Sequence, residues 1–225
     1  MLLVARCPVC RCVEVGVCAA CAGQLRAAAD PLPIPPGLDS LTAVIAYEGA
    51  GRQLIAGLKY RNARGGIDAL AAAMAARIEA AHVEAERVEA VRVETAPLQV
   101  VTWLPTTSRR AGHRGYDQAE LLARQVAARL RLRCRRLLVR HAGPAQTGRG
   151  LGDRLVGPDL TGVSAAAGLV VALVDDVVTS GASMTAGAMA LRRAGAREIH
   201  GVAAAHTPRT LGPPGTARSG PWTSP

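Results

Sequence analysis

At 225 residues the chain is long enough for one sizeable α/β core, and its first thirty residues read as a small appendage rather than a second full domain. The longest apolar run, Leu169 to Val174, stops at two aspartates, well short of the roughly 18 residues of a membrane span, and Met1 to Ala5 is too short for a signal-peptide core, so a cytoplasmic protein is expected. A net charge of +10, from 27 Lys+Arg against 17 Asp+Glu, invites a nucleic-acid reading but supports it weakly: Lys59 is the only lysine, Phe is absent, and no aromatics interleave with the arginines to stack bases.

Residues 1–30 carry five of the six cysteines. Cys7-Pro-Val-Cys10 and Cys18-Ala-Ala-Cys21 are two CxxC pairs separated by seven residues. A CxxC lets two thiolates reach one ion at roughly 2.3 Å each, and two such knuckles close a tetrahedral site with no open position, which is the pattern of structural zinc. With no export signal, disulfides are disfavoured, and a redox CxxC does not need a nearby twin. Cys12 is a fifth thiol that could replace Cys10, and Cys134 reads as a packed side chain at a strand start. The metal would fold a segment too small to fold alone, so residues 1–30 are expected to form a zinc-binding module. Pro31-Leu-Pro-Ile-Pro-Pro36 closes it as a stiff, extended connector.

The main domain is expected over residues 37–206. Leu41 to Tyr47 alternates and is β-rich, Glu48 to Gly51 turns the chain, and Arg52 to Lys59 has helical spacing through Leu54, Ile55 and Leu58. Ile67 to Val83 is Ala-rich and helical. His82 to Thr95 is charged and repetitive, either a solvated extension of that helix or a strand-like excursion. The pattern then becomes regular: a buried strand at Gln99 to Leu104, a polar loop from Pro105, a helix from Asp117 to Leu130 and a strand around Arg135 to Val139. A Gly-rich, charged loop from His141 to Gly157 leads to a strand at Leu169 to Val174. A helix at Ser183 to Ala194, ended by Gly195, and a strand at Glu198 to Ala204 follow. Strands alternating with helices predict an α/β fold with a mainly parallel sheet flanked by helices. Residues 207–225 have almost nothing to bury and are expected to be a disordered tail.

Two of the strand-to-helix loops carry chemistry. The first, after Trp103, gathers Arg109, Arg110 and Arg114 beside Gly115, with Asp117 placed to cap the following helix. Its arginines offer forked donors to an anionic group such as pyrophosphate, although each taken singly reads equally well as solvated surface. His113 in the same loop could carry a proton near a pyrophosphate but reads better as a solvated histidine, and Lys59, the sole lysine, is either an accident of composition or a position where its compact charge matters. The second loop follows Val170-Val-Ala-Leu-Val and begins with Asp175 and Asp176. Thr179, Ser180, Gly181, Ala182 and Ser183 then lead into a helix. Small residues let backbone N–H groups approach an anion, the hydroxyls add donors, and the helix contributes its positive end, so this loop suits a phosphate. Two carboxylates at the carboxyl edge of a sheet suit ribose hydroxyls and a hard cation such as Mg²⁺. The plain alternative is that Thr179 or Ser180 merely caps a helix. A P-loop reading is excluded because no GxxxxGK[ST] occurs.

The run from Val170 to Ser183 resembles the phosphoribosyl-pyrophosphate signature of type I phosphoribosyltransferases: apolar residues, two acids, two apolar residues, then a Thr/Ser-Gly-x-Thr/Ser loop. The resemblance implies that fold. It also implies Asp175 and Asp176 on the ribose hydroxyls, residues 179 to 183 on the 5′-phosphate, and Mg²⁺ with the ligand. Pro105 through Ala123, with Arg114-Gly115-Tyr116-Asp117-Gln118 at its centre, narrows the resemblance to the ComF family of phosphoribosyltransferase-like proteins, associated with bacterial DNA uptake competence. Tyr47-Glu-Gly with Leu58-Lys59-Tyr60, Gln146 with Arg154, and the cysteine-rich N-terminus are similar to that family as well. Departures are Tyr116 and Asp117 where Phe and Asn are usual, and Gly157 where the loop commonly carries Asn. The resemblance implies either phosphoribosyl transfer to an acceptor that residues 37–66 do not spell out, or a non-catalytic accessory role in a DNA-import assembly. In the second case protein partners or single-stranded DNA would be bound.

Overall fold

In the computed structural model, which describes residues 5–61, 65–88, 96–107, 116–141 and 157–208, five of the strands form one parallel sheet. In chain order the elements are a one-turn helix α1 (Ala19–Ala22), β1 (Ser40–Ala46), α2 (Gly49–Arg61), α3 (Gly65–Val88), β2 (Val100–Trp103) and α4 (Gln118–Arg129). They continue with β3 (Arg133–Cys134), β4 (Leu138–Arg140), β5 (Leu160–Gly162), β6 (Val170–Val178), α5 (Ala182–Arg193) and β7 (Glu198–His206). The sheet order is β1-β7-β6-β2-β3, and β4 and β5 form a separate antiparallel pair. The fold is therefore α/β with a mainly parallel sheet flanked by helices, as the alternation of strand and helix signals requires.

Side chains alternate across each strand, and the alternation divides the core in two. Ala172 and Val174 of β6 pack with Val101 and Trp103 of β2 on the face covered by α3 and α4, against Leu70, Met74, Leu122 and Val126. Val171 and Leu173 point the other way, toward Met184, Ala188 and Leu191 of α5. Every one of these side chains is buried. Burying a side chain of this size contributes roughly 1.5–3 kcal/mol.

Strand order also locates the place where a ligand should bind. From β2 the chain moves outward to β3, and from β6 it moves the opposite way to β7, although β2 and β6 are neighbours. Open α/β sheets bind ligands at the carboxyl ends of the strands where the winding reverses. The loops that leave β2 and β6 are adjacent there, and Leu104 N donates to Val174 O at 2.9 Å.

Three boundaries differ from the sequence expectation. The strand expected around Arg135 to Val139 is two elements. Arg135 N still donates to Val101 O, but Leu137 N turns to the buried Thr102 hydroxyl at 3.1 Å, and the chain leaves the sheet to pair β4 with β5. β6 runs past the two aspartates to Val178, because Asp175, Val177 and Val178 continue the ladder with Ala203, Ala205 and His206 of β7. Helix α2 begins at Gly49, inside the segment expected to turn. The repetitive segment continues α3 as far as Val88. Residues 89–95 lie outside the described residues, as do residues 209–225 of the expected tail.

The N-terminal segment wraps the free edge of β1. Cys7, Val9 and Cys21 join the core on the α3 face. Residues 26–28 then run antiparallel beside β1, with Ala28 N donating to Val44 O and Ala46 N to Arg26 O, which covers the edge strand. Leu32 and Leu38 of the connector end in the core on the α5 face. No helix among the described residues is long and apolar enough to cross a membrane.

Candidate functional site

Two sites emerge. The first is the cysteine cluster, whose knuckles are shaped by local hydrogen bonds: Cys7 N donates to Cys12 O, Arg11 N to Cys7 O, and Ala22 N to Cys18 O. Arg11 adopts a left-handed conformation, φ 70°, at the tip of the first knuckle. As a result the sulfurs of Cys7, Cys10, Cys18 and Cys21 all lie within 4.8 Å of one another, and those of Cys10 and Cys18 are 3.6 Å apart. Tetrahedral zinc–thiolate bonds of about 2.3 Å place sulfurs about 3.8 Å apart, so the four thiols are positioned to hold one such ion. Cys12 stands beside this set, its sulfur accepting a weak bond from Cys10 at 3.4 Å, and Cys134 is partly buried elsewhere.

The electrostatics of the cluster fit a cation. Burial raises Cys7, but backbone hydrogen bonds from Cys18, Cys10 and Val9 outweigh it and hold the thiol down to about 6. A backbone bond from Cys12 lowers Cys10 as well. Cys12 is pushed up to about 12, chiefly through its bond with Cys10, and Cys21 to about 12 by burial and the neighbouring thiols. Donors thus favour thiolates at one side of the cluster, while crowding forbids charging all of them, a conflict a bound dication removes.

The second site is the end of β6. Asp175 and Asp176 follow the buried run Val170–Val174, and beyond them Val177 packs on the α3 and α4 side and Val178 on the α5 side. Asp175, Val177, Val178 and residues 179–184 line an open depression of about 210 Å³, solvent at its mouth included, and Asp176 is not among its lining residues. Both carboxylates are partly buried, and Asp175 Oδ1 accepts from Asp176 N at 2.8 Å. Thr179, Ser180 and Ser183 are exposed around the depression, and Gly181 is buried beneath it. Gly181 occupies the N-cap position of α5 with φ 81°, a conformation that favours glycine, and no side chain caps the helix there. Ser180 Oγ reaches only Ala182 N, at 3.4 Å, so the simple capping alternative does not describe this loop. The first intrahelical bond is Thr185 N to Gly181 O. By helix geometry this leaves the N–H groups of Ser183 and Met184, two residues that line the depression, without intrahelical acceptors, as at helix N-termini that bind anions. Val177, Val178 and Met184 were not expected among the lining residues. The apolar pair between the acids and Thr179 is the signal that marks them.

Beside this depression runs the loop leaving β2. Asp117 caps α4 as expected, its Oδ1 accepting from Ala119 N at 3.1 Å, and its Oδ2 also accepts from Thr106 N at 2.8 Å. Burial raises its carboxyl above the ordinary value, against those backbone bonds. Tyr116 donates its hydroxyl to Leu58 O at 2.8 Å, which ties the last turns of α2 to the start of α4. Leu58 and Tyr116, far apart in sequence, are thereby joined. Arg140 of β4 donates to Pro105 O at 3.2 Å and holds the same loop from the other side. Arg109, Arg110, His113, Arg114, Gly115, Gln146 and Arg154 lie outside the described residues, as does the side chain of Lys59.

No family model matches the chain, and no curated protein matches it. Among solved structures, it is similar to a glutamine phosphoribosylpyrophosphate amidotransferase from B. subtilis complexed with ADP and GMP, with 23% identity and a TM-score of 0.35 over 49% of this chain and 23% of that one. A structure described as the allosteric regulatory enzyme of purine biosynthesis is similar at 23% identity and a TM-score of 0.35, over 49% of this chain and 22% of its own. The chain thus spans less than a quarter of the length of either enzyme.

Proposed function

We propose that the chain is a phosphoribosyltransferase-like protein of the ComF family that binds phosphoribosyl pyrophosphate with Mg²⁺ and carries one structural zinc ion. The observation that carries this reading is the end of β6. There Asp175, three hydroxyls and the first turn of α5 line one depression, with Asp176 next in the chain, at the point where the sheet reverses its winding. In this reading residues 179–183 hold the 5′-phosphate, and Asp175 and Asp176 take the ribose hydroxyls. Arg109, Arg110, Arg114 and Gly115 belong to the neighbouring loop and serve the pyrophosphate. Mg²⁺ supplies charge neutralisation when bound with the ligand. If an acceptor is present, its nucleophilic atom forms a bond to the anomeric carbon as the bond from that carbon to pyrophosphate breaks. The arginines then stabilise the departing charge.

Calorimetric titration with phosphoribosyl pyrophosphate and Mg²⁺ tests the reading. Binding should be measurable in the unmodified protein and fall by at least about 100-fold in the Asp175→Asn, Asp176→Asn double variant, since each substitution removes a charged partner of the ligand. Retained affinity in that variant would sink the site assignment. Pyrophosphate release on adding bases or amines would then separate an enzyme from a binding protein.

A further inference from the structure

The connector that follows the cysteine module ends against the phosphate loop. Of its four prolines, Pro31, Pro33 and Pro36 are exposed, and Pro35 is partly covered. Gly181 lies beside it: a Cβ built on that glycine would lie 3.1 Å from Pro35 Cγ and 3.5 Å from Pro35 Cβ, which leaves room there for glycine's hydrogen but not for a side chain. The ring therefore rests on the one left-handed residue of the loop.

The chain on the far side of Pro35 is anchored independently. Leu38 N donates to Pro35 O, and Leu38 is buried in the α5-face core. Arg192 of α5 donates to Gly37 O at 3.2 Å and pairs with the Asp39 carboxylate, which also accepts from Ile199 N at 2.6 Å. On the near side, Leu32 is buried in the same core. The ring is thus held between two fixed points. Pro36 restricts residue 35 to extended conformations, so the backbone presents the ring without searching for its position.

Glycine is free to leave the left-handed region, and each excursion would swing the N–H groups of Ala182, Ser183 and Met184 off a bound phosphate. No side chain cap holds that turn. We propose that Pro35 is a positioning residue for the phosphate loop, bracing Gly181 from outside so that the first turn of α5 is preorganised for the 5′-phosphate. The inference rests on the proposed function of that loop. It gives the N-terminal segment a role at the ligand site in addition to covering the edge of the sheet.

The test compares the full chain with its Pro35→Ala and Pro35→Val variants, titrated with phosphoribosyl pyrophosphate, ribose 5-phosphate and inorganic pyrophosphate, each with Mg²⁺. Alanine removes the Cγ that touches Gly181, and valine restores a branch at that place while Pro36 keeps the backbone extended. Contacting residues commonly couple strongly enough to change affinity by about 3- to 30-fold. A loss in that range is expected for the two ligands that carry a 5′-phosphate in the alanine variant, with pyrophosphate unaffected and valine recovering most of the loss. Equal affinities in wild type and Pro35→Ala would overturn the brace and leave the phosphate site standing. So would a loss shared by pyrophosphate, or an alanine variant that fails to fold, since either would mark Pro35 as general structure. Failure of the unmodified chain to bind phosphoribosyl pyrophosphate would instead remove the proposed function, and the brace with it.

Discussion

The cysteine cluster and the loop after β6 are both short stretches of chain, yet they are held together by opposite means. Local hydrogen bonds within the knuckles bring the four thiols together, in positions from which they could share one cation. The loop after β6 has no such centre. Its approach is fixed by the ladders of β6 with β2 and β7, its departure by α5, and its middle residue by contact with Pro35. If the proposed zinc is bound, the first site should therefore fail from within, by its loss, and the second from without, by disturbance of its surroundings.

Removing the metal should give the largest effect. Cys7 and Cys21 are buried against the α2 and α3 core, so a strong chelator, or Cys21→Ala, should destabilise the protein by several kcal/mol, because much of the binding free energy of such ions is folding free energy. Metal content measured beside a thermal melt checks this. An unchanged melt in metal-free protein would break the contrast between the two sites.

A smaller effect is expected from Gly157→Asn, which installs the residue usual at that position in the family the chain resembles. A Cβ there would lie 2.6 Å from Ala182 O and 2.8 Å from Ala186 Cβ, so the segment before β5 must move off α5. The cost should be about 1–3 kcal/mol, as for overpacking, with weaker phosphate-ligand binding because Ala182 opens that helix. Denaturant unfolding of the variant gives the value, and no loss would mean that α5 yields where the contrast requires a rigid wall.

The smallest effect should come from Tyr116→Phe. It deletes the hydroxyl that Leu58 O accepts and costs about 0.5–1.5 kcal/mol in the same measurement. A change above that range would mean that the tie between α2 and α4 supports more than one carbonyl, and the phosphate site would then depend on the opposite face of the sheet as well.

Much of this was readable from residues alone. Paired CxxC spacing named the four clustered thiols, an apolar run before two acids named the strand, and Asp117 two residues before Ala119 named a helix cap. These features depend on neighbours a few residues apart, and periodicity and side-chain reach settle them without reference to the rest of the chain. The split between β3 and β4 was not readable, because the hydroxyl that turns Leu137 out of the sheet belongs to Thr102 in another strand. Nor was the length of β6. Charge at Asp175 suggested an end, whereas the partner strand β7 continued the ladder to Val178.

The deepest division follows from range. Residue types and their spacing dictated which segments become strands, helices, knuckles and an anion loop, since those are contests between local hydrogen bonds and local burial. Strand order, the reversal of winding between β2 and β6 and the closeness of Pro35 to Gly181 were settled by packing. No local pattern encodes them, because each joins parts of the chain whose closeness is selected only when two apolar faces of one sheet are buried together.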